Sequence, residues 1–378
     1  MKKPKIKKPN LKGAASKSVE KAKNLNLRRR KTTEQKVDEA ISNVPRITNE
    51  TVNEHREDVL SSARKYIYPL QHSKHKIVRI SLGIFAAVVL TFLVLTTLSL
   101  YKFQSTGGFV YDVTKVLPYP VAKAGSSWVS YESYLFEIRR NMHYYTTQQQ
   151  SDFSTKDGKA QLKLLKAQAM AQVVEDAYVK QLAQQNGVTV SDKQVDEQIT
   201  LLQNQNRLGN NQRVFRDVLS QYWGWNEADF KRELKQQLLK QAVVTKLDTQ
   251  ANQQASKALV AVKSGQDFGQ VAAQYSDDAQ TKGTGGQYPN PIASNDRNIS
   301  PAITAELAKL KPGETSGIIN TGYTLEIVKV IEKNGDSVKA AHIQINLKDI
   351  SAYTAKLQKE KPVHYYIKVE KQPAQPQQ

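Results

Sequence analysis

Six histidines, at positions 55, 72, 75, 143, 342 and 364, and the absence of cysteine bound the chemistry open to this chain. Without a thiol there is no thiolate nucleophile, no disulfide and no Cys-held metal. The histidines are scattered. None belongs to a His-Glu-x-x-His pair, and the chain has no Gly-x-Ser-x-Gly elbow, P-loop or dinucleotide fingerprint. His72 and His75 have the spacing of metal ligands but no third ligand nearby, and their basic surroundings read as a membrane flank. Neither a metal nor a cofactor is expected. Trp223-Gly-Trp225 reads as a packing anchor, with apolar contact to an unfolded polypeptide as the functional alternative.

The element that positions everything else is Ile80–Tyr101. It carries no charge, and 13 of its 22 residues are Leu, Ile, Val or Phe. A helix of this length spans roughly 33 Å, against roughly 30 Å of bilayer hydrocarbon. Its large apolar side chains favour insertion by roughly 4 to 8 kcal/mol. Of the net charge of +20, about +13 lies in residues 1–79. Lys74, Lys76 and Arg79 press against the start of the stretch, and only Lys102 and Lys115 follow soon after it. Positive-inside bias therefore predicts a single-pass protein of the cell membrane, N-terminus cytoplasmic and the bulk of the chain extracytoplasmic. The tail before residue 45 is basic and poor in large apolar residues, which predicts disorder and contact with anionic lipid. A ribosome or nucleic-acid tether is the disfavoured alternative, since no aromatic residues interleave the basic run.

Beyond a connector, helical periodicity dominates. Tyr134, Leu135, Ile138, Met142 and Tyr145 share one face. A helix from about Lys159 should end at Asn186-Gly187, Ser191 with Gln194 forms a capping box, another helix covers about 211–221, and Asn226 caps a further one. The phrases VAKAGSSWVSYESYL, QLAQQNGVTVSDKQVDEQI and FRDVLSQYWGWNEADFKRELKQQLLKQ resemble the helical chaperone segment of SurA- and PrsA-type foldases. The resemblance implies a helical cradle for unfolded or proline-containing exported polypeptides.

Residues 251–346 resemble a parvulin-type peptidyl-prolyl isomerase. The match lies in Ser264-Gly-Gln-Asp-Phe268, Val271-Ala-Ala-Gln-Tyr-Ser-Asp-Asp278, Gly285-Gly286 and Leu310-Lys-Pro-Gly313-Glu-Thr-Ser316. One phrase is displaced. The His-Ile of the family's first strand stands after its expected last strand, as Lys339-Ala-Ala-His342-Ile-Gln-Ile345, behind an Asn334-Gly335 turn signal. In the family those strands are antiparallel neighbours, so a hairpin from Leu325–Ile331 to Val338–Ile345 would make a circularly permuted parvulin. The rival is the start of a second, truncated copy. The resemblance implies catalytic roles for Asp278, His342 and Thr321, with Glu326 where the family has a second histidine. It implies Tyr288, Ile299 and Ile303 as the apolar pocket, with Ile303 in place of a phenylalanine.

The expected fold is a single-span membrane protein with an α-helical chaperone domain and an α+β parvulin-like domain, a small antiparallel sheet with flanking helices. The expected boundaries are a basic tail at 1–76, mostly disordered but with a juxtamembrane helix; a membrane helix at 77–102; a connector at 103–122; and the helical domain at 123–250. The parvulin-like domain follows at 251–346, then a C-terminal helix and strand with a disordered tail at 347–378. The implied function is foldase or chaperone with peptidyl-prolyl isomerisation. A silent site that binds polypeptide without turnover is the alternative.

Overall fold

The computed structural model describes residues 32–42, 47–67, 69–205, 207–209 and 211–369, without side chains for 69–75. The basic run before residue 32 and the tail after residue 369, both expected to be disordered, lie outside the described residues, as do the side chains of His72 and His75.

Contacts divide the chain at Leu90. The first unit holds α1 (Thr33–Ser42), α2 (Asn49–Ile67) and the first part of α3 (Pro69–Thr97). Helix α1 falls inside the stretch expected to be disordered, and neither α1 nor α2 has a buried residue. They are held by local terms. Thr48 and Thr51 bond each other's backbone at the start of α2, Glu50 lies in its first turn, and Arg64 and Lys65 lie in its last. One helix among the described residues, Lys76–Lys102, is long and apolar enough to cross a membrane, with mean hydropathy 2.5.

In the second unit α3 closes in a π-helical turn at Leu98–Lys102. The stretch expected as a connector instead folds as α4 (Gly108–Val116) and leads into β1 (Pro120–Ala124). Next come β2 (Ser127–Ser130), α5 (Tyr131–Gln148), α6 (Lys156–Gln185), α7 (Asp192–Asn204), α8 (Gln212–Trp223) and α9 (Glu227–Leu247). The caps are the anticipated ones. Gly187 takes φ +65°, Ser191 and Gln194 form the capping box, and Asn226 forms a second box with Asp229.

A sheet module follows, with α10 (Thr249–Lys263), α11 (Phe268–Tyr275), β3 (Ile292–Ala293), α12 (Pro301–Lys309), β4 (Ile319–Asn320), β5 (Thr324–Asn334) and β6 (Ser337–Asn346). Its antiparallel order is β3-β6-β5-β4. Side chains alternate along β5 and β6. Leu325, Ile327, Ile343 and Ile345 pack under α10 and α11, and Val328, Val330 and Ala340 pack under α12. The alanines at 251, 255, 258 and 261 are buried, which lets α10 approach the strands closely. The hairpin between β5 and β6 turns at Gly335, φ +59°, and pairs Val328 with His342.

Finally α13 (Ser351–Glu360) and β7 (Val363–Tyr365) return to the helical part. Strand β7 pairs with β1 in the order β2-β1-β7, and Ile350, Leu357 and Ile367 enter the same core as Tyr131, Tyr134, Met170 and Tyr178. Chain beyond the sheet module thus completes the helical body that precedes it.

Candidate active site

The β5–β6 pairing sets Glu326 and His342 on one face of the sheet, and the loop after α11 brings Asp278 to the same place. His342 Nδ1 lies 3.0 Å from Glu326 Oε2, and Nε2 lies 3.1 Å from Asp278 Oδ2. Two local devices seat that loop. Ser276 Oγ accepts from the backbone N–H of Asp278 and of Gln344, which ties the loop to β6. Asp278 accepts from the Gln280 N–H at 3.0 Å and from the Thr281 hydroxyl. Gly286 brings the other side of the loop against the strand. The His342 N–H donates to Gly286 O at 2.7 Å, and a Cβ on Gly286, at φ +76°, would stand 2.2 Å from His342 O. Only glycine fits there.

The network is longer than three residues. Thr281 Oγ1 lies 2.9 Å from His342 Nε2. At the other end, Thr324 donates to Glu326 Oε1 at 2.8 Å, and Thr321 bonds Thr324 through both its backbone and its hydroxyl. Thr321, which the resemblance matches to the hydroxyl position, is three hydrogen bonds from His342, and Thr281 holds the hydroxyl that touches the ring. The sequence reading missed Thr281 and Thr324. Thr281 stands three residues after Asp278, an Asx-type turn spacing, and Thr324 stands two before Glu326, on the same strand face.

Both ring nitrogens of His342 face carboxylate oxygens, so the ring can donate to both only as an imidazolium. Burial pushes the Asp278 carboxyl up, but the Thr281 hydroxyl, the Gln280 N–H and His342 outweigh it and hold the group below the usual carboxylate value. The Asp278 side chain is 19% exposed, against 5% for His342 and 3% for Glu326, so it is the member of the trio that meets solvent. Tyr288 stacks on the imidazole with centroids 4.2 Å apart. Burial, then the charges of Glu326 and Asp278, push its phenol well above the usual range.

Ile303, on α12, is buried at 4% exposure against Ile292, Leu307 and Val328. Tyr288 and Ile299 pack against that cluster, so the apolar positions adjoin the polar network through Tyr288. Ile299 also lines a cleft of about 750 Å³ with Leu201, Leu234, Leu238 and Tyr323. Arg207, from the loop after α7, donates to the carbonyls of Asp296 and Ile299 and holds that wall. Trp225 does not offer a free face. It is 8% exposed and stacked on Phe136 at 5.4 Å, because it fills the gap between α5 and α8. Trp223, at 36% exposure, keeps an open face. Among the described residues no cluster of His, Asp or Glu is arranged to hold a metal.

Residues 71–244 match the SurA-like N-terminal domain family, and residues 237–332 match the PPIC-type PPIASE domain family. The chain joins a SurA-like domain to a parvulin-type rotamase domain. A chaperone SurA from Nitrosospira multiformis is 30% identical over 110 residues, which are 27% of this chain and 24% of that one. The matched stretch thus spans about a quarter of that curated relative. Among solved structures, foldase protein PrsA from Streptococcus pneumoniae is 20% identical, covering 54% of this chain and 80% of its own at a TM-score of 0.20. The Bacillus anthracis peptidylprolyl isomerase PrsA is 16% identical, covering 50% and 88% at 0.17. Those superpositions are too loose to carry the assignment, which rests on the two domain matches. The rotamase match closes at residue 332, so His342 lies beyond it. The fold nonetheless seats that histidine in the rotamase sheet, between β3 and β5.

Proposed function

We propose that the chain is a membrane-anchored extracytoplasmic foldase whose rotamase domain, circularly permuted, isomerises X-Pro bonds in unfolded exported polypeptides held near the SurA-like domain. The observation that carries this reading is the Asp278–His342–Glu326 chain of hydrogen bonds, closed by Thr281 and capped by the Tyr288 ring. It joins residues 278, 326 and 342 from three separate segments into one site.

An X-Pro bond turns slowly because resonance holds the amide planar, with a barrier near 20 kcal/mol. In the twisted transition state the nitrogen loses conjugation and the amide polarity changes. A site speeds the turn by holding the proline ring and binding the twisted amide better than either planar form. Here the apolar hold falls to Tyr288 and Ile299, and the fixed electrostatics to the network. Asp278 is the partly exposed group, His342 holds its position, and Glu326 orients the ring from behind. No covalent intermediate is needed. The span between the basic flank and the body supports anchoring with the N-terminus inside.

The test is turnover of an X-Pro peptide by the full chain in nanodiscs, followed by exchange NMR. Catalysed exchange that is lost in His342→Ala supports the reading. Equal exchange in both proteins rejects it. One observation favours a second reading, polypeptide binding without turnover: Ile303 presents no ring face and is buried. Suppressed client aggregation with no catalysed exchange would select it.

A further inference from the structure

The outer end of the apolar helix is built into the SurA-like domain. Thr96 is 5% exposed and Leu100 is fully buried. Tyr131 Oη donates to Leu100 O at 2.6 Å, Tyr101 Oη donates to Pro120 O at 2.6 Å, and Thr96 Oγ1 lies 2.9 Å from Tyr119 Oη. The Tyr101 ring makes edge contacts with Tyr119 and Tyr131. No loop separates the helix from the body. The joint is a piece of folded core.

This shortens the part of the helix that lipid can cover. Residues Ile80 to Leu95 extend about 24 Å, against about 30 Å of hydrocarbon. About 6 Å is left to be covered by something else. On the body beside that joint, Phe103 is 70% exposed, Phe109 69% and Val116 80%. Phe109, on α4, meets Phe92 of the apolar helix edge-on at 6.5 Å, so α4 lies alongside the helix below its buried end. Lys102 stands 5.8 Å from the centre of the Phe103 ring, and Lys115 on α4 pairs with Asp112 at 2.9 Å. Apolar rings beside cations, continuous with a membrane helix, are what the headgroup and acyl boundary accommodates, to a depth of about 5 to 10 Å.

We infer that Phe103 and the Phe109–Val116 face of α4 are a membrane-docking surface, seated in the outer leaflet so that the SurA-like domain rests directly on the bilayer. The inference rests on the membrane-anchored reading above. It commits to lipid as the occupant because the surface continues an element that lipid must already cover.

The cysteine-free chain permits clean single labels. Nitroxides are placed one at a time at Phe109→Cys and Val116→Cys. Leu90→Cys in the apolar helix and Val260→Cys, 67% exposed on the rotamase domain, serve as controls. The full chain is reconstituted in phosphatidylcholine–phosphatidylglycerol nanodiscs, and collision with oxygen is compared with collision with a water-soluble nickel complex. Each substitution leaves the other docking side chains in place, and unchanged circular dichroism verifies the fold. The expected result is an oxygen-to-nickel ratio at 109 and 116 several-fold above that at 260 and close to that at 90. Ratios at 109 and 116 that match 260, with 90 still lipid-like, overturn the docking and leave the anchor standing. A water-like label at 90 removes the anchor and the docking together. Labels at 109 and 116 shielded from both agents mean that protein covers the face, and this also overturns the inference.

Discussion

The SurA-like domain and the rotamase domain both bury acidic side chains, with opposite outcomes. In the first, burial pushes the Glu137 carboxyl up to about 7, although Arg140 stands 2.8 Å away. Burial likewise pushes Asp176 up to about 6 against the pull of Lys180 and Gln172. In the second, Asp278 is held below its ordinary value because a hydroxyl, a backbone N–H and an imidazole all point at it. Depth and donors act together here: Glu137 and Asp176 lie deep in helix packing, whereas Asp278 meets solvent and receives three donors. In the SurA-like domain such groups sit within a helix-packed wall, around a cavity of about 190 Å³ that also meets Lys180 and Arg232. In the rotamase domain Asp278 and Glu326 share one hydrogen-bonded network through His342.

The sharpest way to break this contrast is Glu326→Ala. It leaves the buried Nδ1 of His342 without its partner and should cost the rotamase domain about 3 to 5 kcal/mol. Hydrogen exchange at the β5–β6 amides would measure it, while Glu326→Gln, which keeps an acceptor, should lose much less. A comparable loss, about 3 to 5 kcal/mol, is expected in the other domain for Trp225→Ala, which empties the space beside Phe136. Trp223→Ala should change stability by less than about 0.5 kcal/mol in a urea titration of both tryptophan variants and, if that face meets clients, weaken their binding instead.

His342→Ala should lower kcat/KM for an X-Pro peptide about 100-fold, the scale at which a positioned polar group contributes. The urea transition of the SurA-like domain should stay where it is. A pH titration separates the two kinds of carboxylate. Glu137 has a folded value above its ordinary 4.5. Between about 4.5 and about 7 the unfolded chain has lost this proton and the folded chain keeps it, so the SurA-like domain should lose stability as pH rises through that window, on the order of 1.4 kcal/mol per unit. Glu137→Gln should flatten the slope. Asp278 has the other sign. Its stabilisation is present above the ordinary aspartate value and is lost as pH falls below it.

Much of this was legible beforehand because it is local. The Ser191–Gln194 and Asn226–Asp229 capping boxes and the Gly335 turn each depend on side chains within three or four residues. The two domain phrases carried the site as far as Asp278, His342 and Glu326, and the hairpin register delivered the last two. The resemblance matched Thr321 to the hydroxyl position, but its hydroxyl is taken up by Thr324 at the start of β5. Trp225 read as a packing anchor, but its partner, Phe136, lies 89 residues earlier, where no local pattern could name it.

By itself the sequence determined the length of the apolar helix, the helix ends and the hairpin, because hydrophobic length, capping and turn chemistry act over a few residues. Only the tertiary structure decided which hydroxyl meets His342 and that β7 completes a sheet begun by β1. It also decided that the helix at Leu100 ends inside a protein core and not at a water boundary. Those outcomes depend on groups tens to hundreds of residues apart, which packing brings together and no local pattern records.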